Sequence, residues 1–567
     1  MNSREKALTW LNQELDTETI SEINDLLNGK AELLEDAFYK DLEFGTGGMR
    51  GIMGAGSNRV NKYTLGMATQ GLANYLNKCF GSNTKRVAIA YDCRNNSSEF
   101  AQLVANVLSA NDIEVLLFEA LRPTPQLSFA VRHYNCQSGI VITASHNPPE
   151  YNGYKVYWED GAQIVAPHDK GIITEVKRIS SFDQVRFTGN PEMIKLLNKD
   201  ADEAFIHASL EQRKSTAHNP LKIVFTSLHG TSITLMPELL NRAGYSDVII
   251  VEAQAMPDGN FPTVKSPNPE EREALEMALN LAEECNADMV VGTDPDSDRL
   301  GVAVRNENDQ MILLNGNQCG ALLTDYLLEK SNLVGNEFIA YTIVSSDLFA
   351  DVASYYNIDS EVCLTGFKHI ASLIRENEGV RQFVGGGEES YGYMIGDFVR
   401  DKDALTSTLL FCDLASEEKS NGSSAFERLI KIYKRHGLYK EHLISITKKG
   451  KEGATEIAQI MEVFRNQHPV KFASERVVRI DDLQTSTSKN LKTDQTSNIK
   501  LPNSNVIQFY TDSGSKISAR PSGTEPKIKF YISVRADWSE NLSFDIQNNL
   551  LEKRIEAITE DLKELLQ

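Results

Sequence analysis

Residues 86–119 read RVAIAYDCRNNSSEFAQLVANVLSANDIEVLLFE. A β-type run from Arg86 to Tyr91 gives way to a polar turn, a stretch with helical spacing of its apolar residues, and a second β run ending at Phe118. Parallel neighbours cannot be joined by a tight turn and need a crossover of this length, so the segment reads as one βαβ unit. Two further segments repeat the pattern, LKIVFTSLHGTSITLMPELLNRAGYSDVIIVE at 221–252 and EFIAYTIVSSDLFADVASYYNIDSEVCLTG at 337–366. Residue identity among the three is weak, but their spacing is that of domains. They predict three topologically related α/β domains with mixed sheets.

The C-terminal region differs. RVVRID at 476–481 is followed by a polar stretch from Leu483 to Asn505, expected as a solvated loop, then by two β runs and a helix. Leu551, Ile555, Ile558, Leu562 and Leu565 recur at intervals of three or four and form one apolar stripe on that helix. This reads as an α+β domain. The expected boundaries are 1–205, 206–320, 321–450 and 451–567, in line with a chain of 567 residues that is too long for one core.

The formal charge of -21 argues against nucleic acid or an anionic membrane as partner, since both need a basic field. Any phosphate-bearing ligand must therefore meet locally clustered cations. Seven cysteines with no C-x-x-C read as thiols of a reducing compartment, and the cytoplasm is the expected location. The opening MNSREKALTWLNQELDTE is read as an amphipathic surface helix without a leader's apolar region. No apolar run approaches the roughly 18 residues that span a bilayer.

Four stretches carry chemistry. In VITASHNPPEYNGYKVY (141–157), Ser145 follows a β run, and the turn with Pro148, Pro149, Asn152 and Gly153 is rigid enough to present Ser145, His146 and Lys155 together. The flanks of Ser145 lack the glycines of a nucleophile elbow, which excludes that reading. In GTDPDSDRLG (292–301), Asp294, Asp296 and Asp298 alternate after an apolar run and could converge on one hard cation. The sixth and twelfth positions from Asp294 are Arg299 and Arg305, which excludes an EF-hand; a small all-oxygen loop suits Mg2+, with Arg299 beside it for a phosphate.

In GGGEESYGYMIGDFVRDKDA (385–404), Glu388 and Ser390 follow a glycine-rich turn and offer acceptors and a hydroxyl to sugar hydroxyls, with Arg400 and Lys402 downstream as cations. In ISARPSGTEPKIKFY (517–531), Arg520, Ser522, Gly523 and Thr524 read as a phosphate clamp, reinforced by Lys527 and Lys529. Its place on a separate domain points to a closing lid. The glycine-rich FGTGGMRGIMGAG (44–56) has Arg50 where a dinucleotide fingerprint needs glycine, and the chain contains no P-loop.

Taken together, these stretches resemble the α-D-phosphohexomutase family. TASHNPPEYNGYK looks like its phosphoserine loop, DPDSDR its metal loop, GEES its sugar loop and RPSGTEPK its phosphate loop, in the family's order. The resemblance implies four domains around a central cleft. It also implies an Mg2+-dependent mutase in which phospho-Ser145 donates to a sugar monophosphate, and the resulting sugar 1,6-bisphosphate reorients and returns its other phosphoryl group. Arg50, His146, Lys155, Arg299, Thr365, Gly366 and Lys368 (the last three in TGFKHI) match positions used near the reacting groups. Ser145 with the three aspartates would form the metal site.

One departure bears on the sugar. Members with a histidine two residues after the sugar-loop serine differ from this chain, where Tyr391 and Gly392 follow Ser390. GEES is the phosphoglucomutase-like form, so glucose is the expected sugar. The entry sequence is similar to the branch that also holds phosphopentomutases, so pentose stands as the alternative beside mannose and a non-catalytic sugar-phosphate-binding relative.

Overall fold

The strand that opens each βαβ unit lies between two parallel neighbours in its sheet. The computed structural model describes residues 1–45, 47–215, 219–448, 450–522 and 527–566. In the first domain Arg86–Tyr91 runs parallel between Glu114–Phe118 and Ser138–Ile142, and Tyr151–Trp158 returns antiparallel on Ser138–Ile142. In the second, Ile223–Thr226 lies parallel between Val248–Ile250 and Met289–Thr293, with Leu300–Arg305 antiparallel on the latter. In the third, Glu337–Thr342 lies parallel between Asp359–Cys363 and Gln382–Glu388, with Gly392–Ile395 antiparallel.

The strand composition follows from burial on both faces. Along Arg86–Tyr91, Val87 and Ile89 pack with Ala101, Val104 and Leu108 of the helix Ser97–Ser109, while Ala88 and Ala90 pack with Leu127, Ala130 and Val131 of Thr124–His133. Helices on both sides leave no polar face, which is why the strand reads as an unbroken apolar run.

This repeat fixes where chemistry sits. In each sheet the parallel strand and the antiparallel strand that returns beside it are joined at the carboxyl end of the parallel strands, the usual position for ligands in such sheets. The three connections are the serine loop (143–150), the aspartate loop (294–299) and the glutamate loop (389–391). Each holds one non-glycine residue in the left-handed region: Ser145 at φ 52°, Ser297 at 59° and Tyr391 at 62°. Such a conformation persists only where its surroundings over-determine it.

The fourth domain is an antiparallel sheet in the order Leu438–Thr447, Lys527–Ala536, Lys516–Pro521, Ile507–Thr511, Glu475–Asp482, Thr487–Asn490, Gln495–Asn498. The helix Phe544–Leu565 packs on it through Leu551, Ile555, Ile558 and Leu562. Leu565, expected on the same stripe, is 41% exposed at the helix end. The domain is seated on the third by an apolar cluster of Ile343, Val344, Leu364, Leu483, Val506 and Tyr531. Lys516 Nζ adds hydrogen bonds to Ser345 O and Asp347 Oδ1.

Four expectations change. Leu438–Thr447, placed in the third domain by a boundary at 450, is the edge strand of the fourth sheet, paired along its length with Lys527–Ala536. The boundaries at 205/206 and 320/321 fall inside the helices Lys199–Leu210 and Gly316–Lys330, which continuous backbone hydrogen bonding keeps whole. The polar stretch after Leu483 contains a hairpin, Thr487–Asn490 with Gln495–Asn498, extending the sheet edge. The N-terminal segment is three short helices, Ser3–Leu11, Thr17–Asn28 and Ala31–Phe38, and Trp10 is buried among Phe38, Tyr63 and Phe182.

Candidate active site

Ser145 is reached through its neighbours. Its backbone N–H donates to Thr143 Oγ1 at 2.8 Å, which helps hold the left-handed turn, and its hydroxyl donates to Asp294 Oδ2 of the second domain at 2.6 Å. His146 Nδ1 lies 3.2 Å from the same Oγ. Burial, with the Arg299 and Arg50 guanidinium groups, pushes the imidazole well below its ordinary value. Arg50 comes from the strand Gly48–Ile52, whose register sets it opposite Gly153, and its guanidinium donates to Asn147 Oδ1 at 2.9 Å. The serine, histidine and arginine singled out in the sequence thus meet at one place.

The aspartate loop faces them. Asp294, Asp296 and Asp298 are all buried, and one oxygen of each lies within 4.8 Å of the others. Lys155 Nζ donates to Asp296 Oδ2 at 2.7 Å and Asp298 Oδ2 at 3.2 Å, and Lys402 Nζ stands 3.1 Å from Asp298 Oδ2. Burial and the neighbouring carboxylates raise the Asp294 pKa well above its ordinary value; burial opposes but does not overcome Lys402 and Lys155, which hold Asp298 low. Asp296 Oδ1 and Asp298 Oδ1 are buried without a hydrogen-bond partner among the described residues. Two orphaned carboxylate oxygens beside a third carboxylate are the donor set of a hard divalent cation, so these residues fit one.

Two contacts that no motif announced lock the aspartate loop. Thr124, at the first turn of Thr124–His133, donates from its N–H to Asp296 O and from Oγ1 to Asp296 Oδ2, both at 2.9 Å. Glu270 pairs with Arg299, whose Nε lies 3.9 Å from Asp294 Oδ2 and from Asp298 Oδ1. The third domain closes on the same loop: Leu300 N–H donates to Tyr391 O at 2.9 Å and Ala404 N–H to Ser297 O at 3.2 Å.

In the glutamate loop, burial pushes Glu388 up to about 7 against the pull of Lys402, and its Oε1 accepts from the Gly366 N–H at 2.8 Å. Glu389 accepts from Thr342 Oγ1 and Ser345 Oγ. Ser390 is half-buried beside them, and Thr365 Oγ1 is buried without a hydrogen-bond partner among the described residues. The ammonium of Lys368 is lowered first by burial and is in the field of Arg520. Lys529 is likewise lowered by burial while Glu270 and Glu389 oppose the shift, which places it toward the glutamate loop. Arg520 pairs in register with Lys529, and Ser522 N–H donates to Lys527 O at 2.7 Å. Gly523 and Thr524 lie outside the described residues.

Arg400 is placed differently from Lys402. Its backbone N–H donates to Ser128 Oγ at 2.8 Å, and its guanidinium is near Glu378 and Asp397, so its contacts join the first and third domains. Lys402 remains at the carboxylates, held by Asp401, which also accepts from Tyr157 OH at 2.7 Å and Gln163 Nε2 at 3.1 Å.

The arrangement can be set beside known proteins. Family models described as phosphoglucomutase/phosphomannomutase, alpha/beta/alpha domains I, II and III, match residues 41–183, 203–308 and 315–433. A phosphoglucomutase of Staphylococcus epidermidis is 38% identical over 514 residues, covering 90% of this chain and 94% of its own length. One from Staphylococcus aureus is 41% identical over 503 residues, covering 88% and 91%. Among solved structures, a phosphoglucomutase/phosphomannomutase family protein from Burkholderia thailandensis superposes with a TM-score of 0.68 at 18% identity, covering 92% of this chain and 97% of that one. The Paramecium phosphoprotein parafusin, a phosphoglucomutase in an open form, gives 0.69 at 18%, covering 93% and 96%. These two support the fold. With three consecutive family domains matched and a relative 41% identical over 88% of this chain, the chain belongs to the α-D-phosphohexomutase family, the phosphoglucomutases and phosphomannomutases.

Proposed function

We propose that this protein is a phosphosugar mutase that moves a phosphoryl group between the 1- and 6-positions of a hexose, interconverting glucose 1-phosphate and glucose 6-phosphate. The observation that carries this reading is the Ser145 hydroxyl set on Asp294 at 2.6 Å, inside a ring of carboxylates and ammonium groups contributed by three domains. The staphylococcal relatives of that activity support the choice of glucose.

In this reading Ser145 carries the phosphoryl group. The P–O bond to Ser145 breaks as a P–O bond to the sugar hydroxyl forms; the hydroxyl gives up a proton and Ser145 Oγ takes one, and His146, 3.2 Å from Ser145 Oγ, as base and the Lys155 ammonium as acid are the candidates for these transfers. Asp294, Asp296 and Asp298 would hold Mg2+, which when bound supplies positive charge beside the phosphoryl oxygens. Arg50, Arg299 and Lys402 surround the same space and stabilise developing charge by fixed position rather than by rearrangement.

Glu388 and Ser390 bind sugar hydroxyls, with Thr365, Gly366 and Lys368 as the neighbouring wall. Arg520, Ser522, Gly523, Thr524 and Lys529 hold whichever phosphate is not reacting. A sugar 1,6-bisphosphate is the intermediate and the priming activator. Seven unpaired thiols support a cytoplasmic setting.

The test is ³¹P NMR of the purified protein with Mg2+ and a trace of sugar bisphosphate, supplied in parallel with glucose, mannose and ribose 1-phosphates. Conversion of glucose 1-phosphate to the 6-phosphate without free phosphate is expected. Stoichiometric phosphate release, or conversion of the pentose alone, overturns the reading.

A further inference from the structure

We propose that Arg94 is a positioning residue for phosphoryl transfer: its buried guanidinium gathers the carbonyls of the Ser145–Tyr151 loop and ties that loop to the second domain. The proposal rests on the reading of Ser145 as the phosphoryl carrier.

Arg94 follows the strand Arg86–Tyr91, and its side chain is 0% exposed. Nη1 donates to Pro148 O at 2.8 Å and to Tyr151 O at 3.0 Å, while Nη2 donates to Ser145 O at 2.6 Å and also to Asn147 O. Four N–H groups of one planar fork therefore meet four carbonyls of one seven-residue loop. Two prolines keep residues 145–150 out of the ladder that Tyr151 enters opposite Ile52, and apart from the turn bond from Tyr151 N–H to Pro148 O at 3.1 Å the loop's inward carbonyls are met by the Arg94 side chain. A lysine offers three donors from a point and cannot reproduce the planar fork.

The charge is matched nearby. Asp92 Oδ2 lies 3.4 Å from Arg94 Nε, and Asp92 Oδ1 accepts from the Arg94 N–H at 2.9 Å and from Ser97 Oγ at 2.8 Å. Ser97 Oγ in turn accepts from Asn152 Nδ2 at 3.0 Å, so the return of the loop is held by the same cluster.

The other face belongs to the second domain. The Phe261 ring lies 5.1 Å from the guanidinium, and Asn95 Nδ2 donates to Asn260 Oδ1 at 3.0 Å. Gly259 comes so close that a Cβ there would lie 2.4 Å from Asn95 N. The second domain thus touches the serine loop twice: in front at Asp294, and behind through Arg94. Ser145 sits at φ 52° with its carbonyl on Arg94 and its hydroxyl on Asp294. Releasing the carbonyl lets the strained residue relax and turns the hydroxyl away from the aspartate loop. Arg94 acts through backbone and touches neither the sugar nor the phosphoryl group.

The experiment compares the full-length parent with Arg94→Lys and Phe261→Leu by hydrogen exchange of the segment 144–152 and by steady-state turnover of glucose 1-phosphate. For Arg94→Lys, exchange in that segment is expected to rise about 10-fold or more with the rest of the first domain at parent rates. The kcat should fall about 100-fold with KM within about 3-fold. Phe261→Leu should give the same pattern at smaller amplitude. Parent-level exchange in the segment, a rise spread over the whole first domain, or a KM change without a kcat change overturns the proposal. If Arg94→Lys fails to melt cooperatively, Phe261→Leu decides, and parent behaviour in both readouts overturns it. The exchange measurement needs no substrate, so a parent that does not turn over glucose 1-phosphate refutes the mutase reading separately from the anchoring.

Discussion

Ser145 Oγ and Asp294 Oδ2 are 2.6 Å apart although the two residues belong to different domains and lie 149 positions apart in the chain. Ser145 and the carboxylates it faces are therefore brought together by domain packing. Ser145→Ala should abolish bisphosphate-primed turnover, a loss of about 10⁴-fold or more, while leaving thermal unfolding within about 2 °C of the parent, because the lost hydroxyl leaves a small gap. Turnover within about 10-fold of the parent would remove Ser145 as the phosphoryl carrier.

The three buried carboxylates predict a stability linkage that can be read without catalysis. A cation that binds only the folded chain raises its stability by about 2.7 kcal/mol at one hundred times its dissociation constant. Mg2+ should therefore raise the melting temperature of chelator-treated protein, and Asp296→Asn should remove most of that rise. A magnesium shift equal in parent and variant would place the cation elsewhere.

How much of this was legible depends on how local each signal is. The three βαβ units were readable because buried parallel strands and their crossover helices write unbroken apolar runs into contiguous sequence. Ser145 and the aspartates were readable because their chemistry is concentrated within a few positions. Arg94, Thr124, Glu270 and Asp401 were not, since each has a side-chain partner distant in sequence and Arg94 meets its partners through carbonyls that every residue carries. The hairpin after Thr487 is polar and largely exposed along both strands, so no alternation marks it. Leu438–Thr447 declares a strand but not its sheet, and only its pairing with Lys527–Ala536 assigns it to the fourth domain.

Gly392 holds open the space that Lys402 needs. A Cβ at this position would lie 2.1 Å from Lys402 Cδ and 2.7 Å from Cγ, so Gly392→Ala must displace a side chain whose ammonium bridges Asp298 and Asp401. Because the displaced atoms belong to a flexible chain, the cost should fall on catalysis more than on folding. The expected result is a kcat lower by about 10-fold or more with a melting temperature within about 3 °C of the parent. An unaltered kcat would show that the position of Lys402 is not needed for the chemistry.

Asp403 offers a pH-dependent test outside the reacting groups. It caps the helix Ala404–Ser420, accepting from Leu405 N–H at 2.9 Å, Thr406 N–H at 3.1 Å and Thr406 Oγ1 at 2.5 Å. Burial nonetheless outweighs these bonds and raises its carboxyl from 3.8 to about 6. The folded chain therefore binds this proton more tightly than the unfolded chain. Ionised Asp403 costs stability above about pH 6, and the cost fades as the pH falls toward 3.8. Asp403→Asn keeps the acceptor oxygen and removes the charge, so its stability relative to the parent should be greatest near pH 8, on the order of 1–3 kcal/mol. That advantage should shrink by roughly half at pH 5. Denaturant unfolding of both proteins across this range measures the difference directly. A gap independent of pH would show that the cap is held by its hydrogen bonds alone, with no penalty for the buried charge.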